Sequence, residues 1–251
     1  MVTRKSALQI ATMRRAGKVV AEMHEVAARA ARPGATTADI DRVCGEVLER
    51  RGARSNFLGY HGFPAVSCVS ANEVVVHGIP GERVLAEGDI VSVDCGAVVD
   101  GWHADAAVTV PVGEIDDEAK ALISATRGAL EAAIDALHVG ARLGDVGAAI
   151  EAAANRAGFA VVREYTGHGI GTQMHEDPAV PNMGRPGAGM RLAGGHVLAI
   201  EPIVNEGRPA VRTLDDGWTV VTADGRRSAH FEHTIAVGDD GPQVLTLPWG
   251  E

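Results

Sequence analysis

The chain has 251 residues, 46% of them hydrophobic and 22% charged, with a formal net charge of -10; this is the composition of a protein with a buried core and excludes a disordered chain. No apolar run reaches the roughly 18 residues of a membrane helix and the N-terminal stretch has no signal-peptide core, so neither export nor membrane insertion is expected and a cytoplasmic location is. The acidic total argues against specific nucleic-acid binding, and three cysteines without a C-x-x-C pair fit a reducing compartment.

Ser6 and Gln9 read as a capping box heading a first helix, in which Met13, Val20, Met23 and Ala27 recur at helical spacing before Pro33-Gly34 stops it. A second helix is expected from Thr36 or Thr37, with Ile40, Val43 and Val47 on one face and an end at Gly52. Ile90 to Val93 alternates like a half-buried strand, Asp100-Gly101 is a two-residue hairpin turn, and Trp102 to Val110 returns. With Val99 opposite Trp102, Gly96 falls opposite Asp105, and Asp94 and Asp105 become diagonal neighbours on one face, roughly 7–8 Å apart at the backbone. Two further helices are expected between Asp117 and Gly158. No Ser/Pro/Gly-rich linker divides the chain, so a single domain over 1–251 is expected.

The second helix pair overlays the first at one offset: Gly34-Ala35 on Gly140-Ala141, Asp39-Ile40 on Asp145-Val146, Arg50 on Arg156 and Gly52 on Gly158. Tyr60 and Gly62 then match Tyr165 and Gly167, the strand Gly88 to Asp94 matches Gly195 to Glu201, and Ala104-Asp105 through Val110 matches Phe231-Glu232 through Val237. This implies an internal duplication with halves of about 1–110 and 111–251. From the first hairpin alone, two solvated aspartates beside a turn account for the pattern equally well. The duplication brings Glu201 and Glu232 to equivalent places, and four carboxylates converging on a partly buried face require cations. Oxygen-rich sites with one imidazole suit Mn, Fe(II) or Co; His168, flanked by Gly167 and Gly169, is the candidate imidazole, although a glycine-rich turn holding a chance histidine reads the same way.

The run Tyr165-Thr-Gly-His-Gly-Ile-Gly-Thr-Gln-Met-His175 resembles the signature of type I methionine aminopeptidases. Gly59 to Pro64, Asn72-Glu73, His77-Gly-Ile-Pro80, Asp94, Asp105, Glu201-Pro202 and Glu232 are similar to that family's pattern in the same order. The resemblance implies the pseudo-symmetric "pita-bread" fold, an α+β architecture of antiparallel sheet covered by helices. It also implies removal of the initiator methionine from nascent polypeptide N-termini and Met-starting peptides, favouring a small second residue. By it, Asp94, Asp105, His168, Glu201 and Glu232 ligate two divalent ions (Co2+, Mn2+, Fe2+ or Zn2+), with Asp105 and Glu232 bridging and a hydroxide held between the metals as nucleophile. Glu201 doubles as the base, His175 donates to the oxyanion and His77 contacts the scissile amide nitrogen. With nothing of the family's extensions before Ser6, the short bacterial form is expected.

The same resemblance places Phe57, Tyr60, Phe63, Cys68, Met174 and Trp218 in the methionine pocket, though core packing alone would explain Cys68. Phe57 stands where relatives often carry Cys, Met174 where an aromatic is usual, and Met183 where an aromatic or His is usual. His61 is expected only to shape its loop, and His103, His138, His196, His230 and His233 to be structural. Two rivals remain: an Xaa-Pro aminopeptidase or prolidase, usually with an added N-terminal domain, and a pita-bread binding module that has lost its chemistry. Residues 1–54 hold 11 Lys/Arg against 6 Asp/Glu. That asymmetry reads as ordinary solvated helix faces or as a weak, salt-sensitive ribosome contact through Arg14, Arg15 and Lys18.

Overall fold

The computed structural model describes residues 2–248. Helix α1 (Ala7–Ala30) starts where expected because the Ser6 side chain accepts from the Gln9 backbone N–H while the Gln9 side chain accepts from the Ser6 N–H. Helix α2 (Thr37–Arg51) is capped by Thr36 and Asp39 in the same reciprocal way, and Gly52 ends it at φ 62°, a left-handed position that glycine enters without a Cβ penalty. Its core face is Ile40, Cys44 and Val47, all at 0% exposure. Val43 is half-buried instead, one step round the helix, where it lines a surface groove with Val26 of α1.

The first half continues through β1 (Arg54–Ser55), a 3-10 turn (Tyr60–Gly62), β2 (Ser67–Ala71), β3 (Val74–Val76), β4 (Ile90–Val99) and β5 (Trp102–Pro111). The β4–β5 register is the one the hairpin signal demands, with Val99 opposite Trp102 and Gly96 opposite Asp105. Val91, Val93, Cys95, Ala104 and Ala106 turn to α1 and α2 and join their core, while Asp94 and Asp105 turn the other way. Each Val or Ile taken fully out of water there contributes about 1.5–3 kcal/mol. The alternation expected over Ile90 to Val93 is absent: all four are buried. The second face is covered as well, because Ser92 bonds Thr109 at 2.8 Å and Thr109 donates to the His230 carbonyl at 2.9 Å.

The second half repeats the plan with α3 (Asp117–Asp135) and α4 (Leu143–Arg156), followed by β6 (Ala160–Val161), β7 (Gly167–Gly169), β8 (Glu176–Val180), β9 (Val197–Ile200) and β10 (Ile203–Asn205). Then come β11 (Val211–Thr213), β12 (Val220–Thr222), β13 (Ser228–His230), β14 (His233–Gly238) and β15 (Gly241–Val244). Leu198 and Ile200 of β9 and Ile235 and Val237 of β14 join the core beneath α3 and α4, as their counterparts on β4 and β5 do beneath α1 and α2. The halves meet edge to edge: Glu232 N–H donates to the Ala107 carbonyl at 2.9 Å, and the Thr234 hydroxyl donates to the Asp105 carbonyl at 2.7 Å. The result is the pita-bread arrangement of helices outside and antiparallel strands around a central cleft.

The three basic residues expected to face a ribosome are engaged within the chain. Arg14 donates to Val244 O and Gln243 Oε1, Arg15 pairs with Asp100 at 2.7 Å, and Lys18 is 7% exposed and donates to Pro248 O. Helical spacing put them on one segment but not on one free face. Arg29 and Arg32 are exposed, and they edge the groove between α1 and α2.

Candidate metal centre

The cleft holds a cavity of about 310 Å³, at the small end of the roughly 300–1,000 Å³ usual for ligand sites. Asp94 comes from β4, Asp105 from β5, Glu201 from the residue after β9, Glu232 from the residue before β14, and His168 from the middle of β7. All five line the cavity, and ligand atoms of Asp105, His168 and Glu232 lie within 4.8 Å of one another. Asp105 and Glu232 are 4% and 2% exposed. Burial pushes the Asp94 carboxyl up to about 7. Burial, with repulsion from the neighbouring carboxylates, drives Asp105, Glu201 and Glu232 well above the ordinary carboxylate range.

This cluster has no internal compensation. Asp94 Oδ1, Asp105 Oδ1 and Glu232 Oε1 are buried without a hydrogen-bond partner among the described residues, of which no Lys or Arg lines the cavity. His168 donates its Nδ1–H to the Gly169 carbonyl at 2.9 Å, so the Nε2 lone pair faces Glu201 Oε1 at 3.9 Å. Burial, then the neighbouring His175, holds the imidazole down to about 4, so the 3.9 Å gap is not an ion pair. Convergent acceptors with an outward-anchored imidazole are the donor set of a divalent metal site, and the residues present fit one.

Above the carboxylates the wall is apolar: Phe57, Phe63, Ala65, Cys68 and Met174 form one buried cluster, with Tyr60, Ile79 and Trp218 packed on it. Phe63 meets Trp218 edge-on at 5.1 Å and Phe57 at 6.4 Å. Tyr60 Oη and His175 Nδ1 are 2.7 Å apart, and the His175 ring lies 4.3 Å from that of His168. His77 sits at φ 57°, a conformation that a non-glycine residue holds only where its surroundings impose it. Its ring packs edge-on against Tyr165 at 5.5 Å and Trp218 at 6.1 Å, and burial lowers its pKa to about 4.

A model of metallopeptidase family M24 matches residues 11–239. The chain belongs to this family. Within M24 it is 49% identical to a methionine aminopeptidase of Clostridium perfringens over 98% of this chain and 99% of that protein. It is 51% identical to methionine aminopeptidase 1 of Mycobacterium tuberculosis, covering 98% and 96%. The crystal structure of a Thermotoga maritima methionine aminopeptidase superposes with a TM-score of 0.97 at 46% identity, covering 98% of this chain and all of that one. A Pyrococcus furiosus prolidase shares the fold alone, with a TM-score of 0.78 at 17% identity, matching 97% of this chain and 65% of its own. As an M24 metallopeptidase the chain uses divalent metal.

Every M24 site residue expected from the sequence is found at this one cavity; Met183 is not. It lies against α4, where its carbonyl would be 2.5 Å from a Cβ at Gly147, and so plays no part in the methionine pocket. His61 lines the cavity mouth with its ring 4.4 Å from Tyr60. Tyr165 and Thr166 also line it and were missed, although both lie in the motif that drew attention to His168. His230, expected to be structural, has its unpartnered Nε2 3.7 Å from Glu201 Oε2. It lies two residues before Glu232, at the end of a strand that pairs with β10 and is bonded to Thr109 of β5.

Proposed function

We propose that the chain removes the N-terminal methionine from nascent polypeptides and peptides, favouring a small second residue, as one catalytic domain whose two halves, about 1–110 and 111–251, both contribute to the site. The observation that carries this is the pairing of uncompensated buried carboxylates with an apolar pocket in one cleft: one end demands cations, the other takes an unbranched thioether side chain. Asp94, Asp105, His168, Glu201 and Glu232 would hold two divalent ions, Asp105 and Glu232 shared between them, with Co2+, Mn2+, Fe2+ or Zn2+ as candidates. When bound, the metals supply Lewis acidity for activating water and carbonyl and a place for the free amine.

The chain's own residues do the rest. Phe57, Phe63, Cys68, Met174 and Trp218 enclose the methionine side chain and exclude water. Glu201, lining the cavity beside His168, takes the proton of the attacking water. With the Tyr60 hydroxyl donating to Nδ1, His175 carries its proton on Nε2 and donates it as a hydrogen bond to the oxyanion. His77, neutral and wedged between two aromatic rings, orients the scissile amide nitrogen.

Incubating the metal-loaded protein with Met-Ala-Ser, Met-Leu-Ser and Ala-Pro-Ala tests this. Methionine release from the first, far less from the second and no cleavage of the third is expected; preferred hydrolysis of Ala-Pro-Ala would move the activity to the prolidase type. The proposed setting is cytoplasmic, with a weak ribosome contact through Arg29 and Arg32, since Arg14, Arg15 and Lys18 have partners within the chain. Arg29→Glu with Arg32→Glu should weaken co-sedimentation with ribosomes at low salt and leave tripeptide cleavage intact; undiminished co-sedimentation would remove this contact from the proposal.

A further inference from the structure

The loop from Gly171 to His175 joins β7 to β8 and carries two residues of the proposed site, Met174 and His175. Within itself it makes one backbone hydrogen bond, Gly171 N–H to the Gln173 carbonyl at 3.1 Å. Glu176 collects its other amides: one carboxylate oxygen accepts from the N–H groups of Thr172 at 2.8 Å and Gln173 at 3.3 Å. The second oxygen turns to the start of the chain, where Lys5 Nζ donates at 2.7 Å and the Thr3 hydroxyl at 3.1 Å. The Lys5 and Glu176 side chains are 4% and 15% exposed.

This is not an ordinary surface ion pair, which would be worth little. Lysine is rarely so buried without a dedicated partner. The packing confirms how closely the pair underlies the loop: a Cβ at Gly171 would lie 2.5 Å from Glu176 Oε1 and 2.6 Å from Lys5 Cε. The segment that presents Lys5 is itself tied down. Lys5 N–H donates to the Gly195 carbonyl at 2.7 Å and Arg4 Nε to the Gly194 carbonyl at 2.6 Å, at the turn that enters β9 and leads to Glu201. Neither Lys5 nor Glu176 lines the cavity.

We infer that Lys5 is a positioning residue for the reaction: through Glu176 it clamps the loop from Gly171 to His175, and so sets Met174 in the methionine pocket and His175 at the reacting carbonyl. The inference rests on the roles proposed above for Met174 and His175. Its physical content is that removing the ammonium leaves a half-buried carboxylate without its counter-charge. Glu176 then turns toward water and releases the two amides it holds. Catalytic donors tolerate small displacements poorly.

The test uses the metal-loaded full chain as Lys5→Met, Lys5→Arg, Glu176→Gln and His175→Ala. The readouts are kcat and KM on Met-Ala-Ser, bound metal, and hydrogen exchange of the loop amides. Lys5→Met is expected to keep its metals, to lose about 10- to 10²-fold in kcat with a much smaller change in KM, and to exchange faster at Thr172 and Gln173. Lys5→Arg should restore most of kcat and the slow exchange. Should Lys5→Met not fold, Glu176→Gln, which keeps an acceptor for the two amides but loses the charge, is expected to show the same pattern more weakly. Unaltered kcat, or lowered kcat with unaltered loop exchange, would overturn the clamp. If His175→Ala keeps full kcat, the proposed role of His175 falls instead, and exchange at Thr172 and Gln173 still decides whether Lys5 holds the loop.

Discussion

The two halves lay down the same scaffold and use it differently. In the first, Asp100-Gly101 closes β4 and β5 into a tight hairpin, and Asp94 and Asp105 face the cleft from adjacent strands. In the second, β9 and β14 pair in the same antiparallel sense, with His233 opposite Ile200, but the chain between them leaves to form β10 to β13 and brings Trp218 over the pocket. The helices differ too. Asp41 of α2 holds the start of β2 through its carboxylate, accepting from Val66 N–H and from Ser67 N–H and Oγ. At the offset that overlays the halves, α4 has Gly147, against which the backbone of Pro181 and Met183 lies directly. What the duplication keeps is the carboxylate geometry; where Tyr60 and Gly62 match Tyr165 and Gly167, the first half places Phe63 in the apolar wall and the second places the His168 imidazole.

The sharpest way to break this comparison is at the shared carboxylates. Asp105→Ala or Glu232→Ala should cost on the order of 10⁴-fold or more in kcat/KM and lose bound metal, since under the proposed assignment each removes a carboxylate that both cations would share. His168→Ala, in a segment that the two halves use differently, should weaken mainly one site. Elemental analysis beside peptide kinetics checks both, and near-normal turnover with two tightly held metals in Asp105→Ala would end the bridging assignment. Next come the helix positions. Gly147→Ala forces a Cβ into carbonyl oxygens that cannot yield and should destabilise by about 1–3 kcal/mol, whereas Asp41→Ala should cost about 1.5–3 kcal/mol by stranding the amides that begin β2. Urea unfolding would separate them, because only Asp41→Ala should also disturb β2, whose Cys68 pairs in register with Asp94.

The smallest effect concerns α1, where His24 stands at the position matched by Leu130 of α3, and both are buried. Burial, then repulsion from His233, lowers the His24 pKa from 6.5 to about 4. The unfolded chain therefore binds more protons than the folded one between those values, so this contribution to stability is fully present above about 6.5 and is lost as pH falls through about 4. His24→Leu, which copies α3, should make the fall in Tm over that window shallower; an unchanged slope would show that His24 does not charge on unfolding.

Much of this was legible because the signals were local. The capping box at Ser6, the stop at Gly52 and the Asp100-Gly101 turn each act over a few residues, and each fixes an end or a register. The identity of the five cation-demanding residues followed from that register, the internal repeat and the family pattern. Val43 and Met183 were misplaced for one reason: which side of a helix or loop meets a partner depends on where the partner lies. His230 matches no ligand position of the family pattern and so reads as structural from the sequence, whereas the fold brings its Nε2 to 3.7 Å from Glu201.

By itself the sequence determined the four helices, the β4–β5 hairpin with its register, the facing of Asp94 and Asp105 and the chemistry the cleft must accommodate, since backbone geometry and side-chain type act at short range. Only the tertiary structure decided which charges are free. Arg14, Arg15 and Lys18 looked like a solvent-facing basic stripe and are bound within the chain, while Lys5, an ordinary residue in the sequence, is buried against Glu176 beneath the loop that carries His175. Long-range burial makes that difference, because the worth of a charge is set by the groups and the water around it in space rather than by its neighbours along the chain.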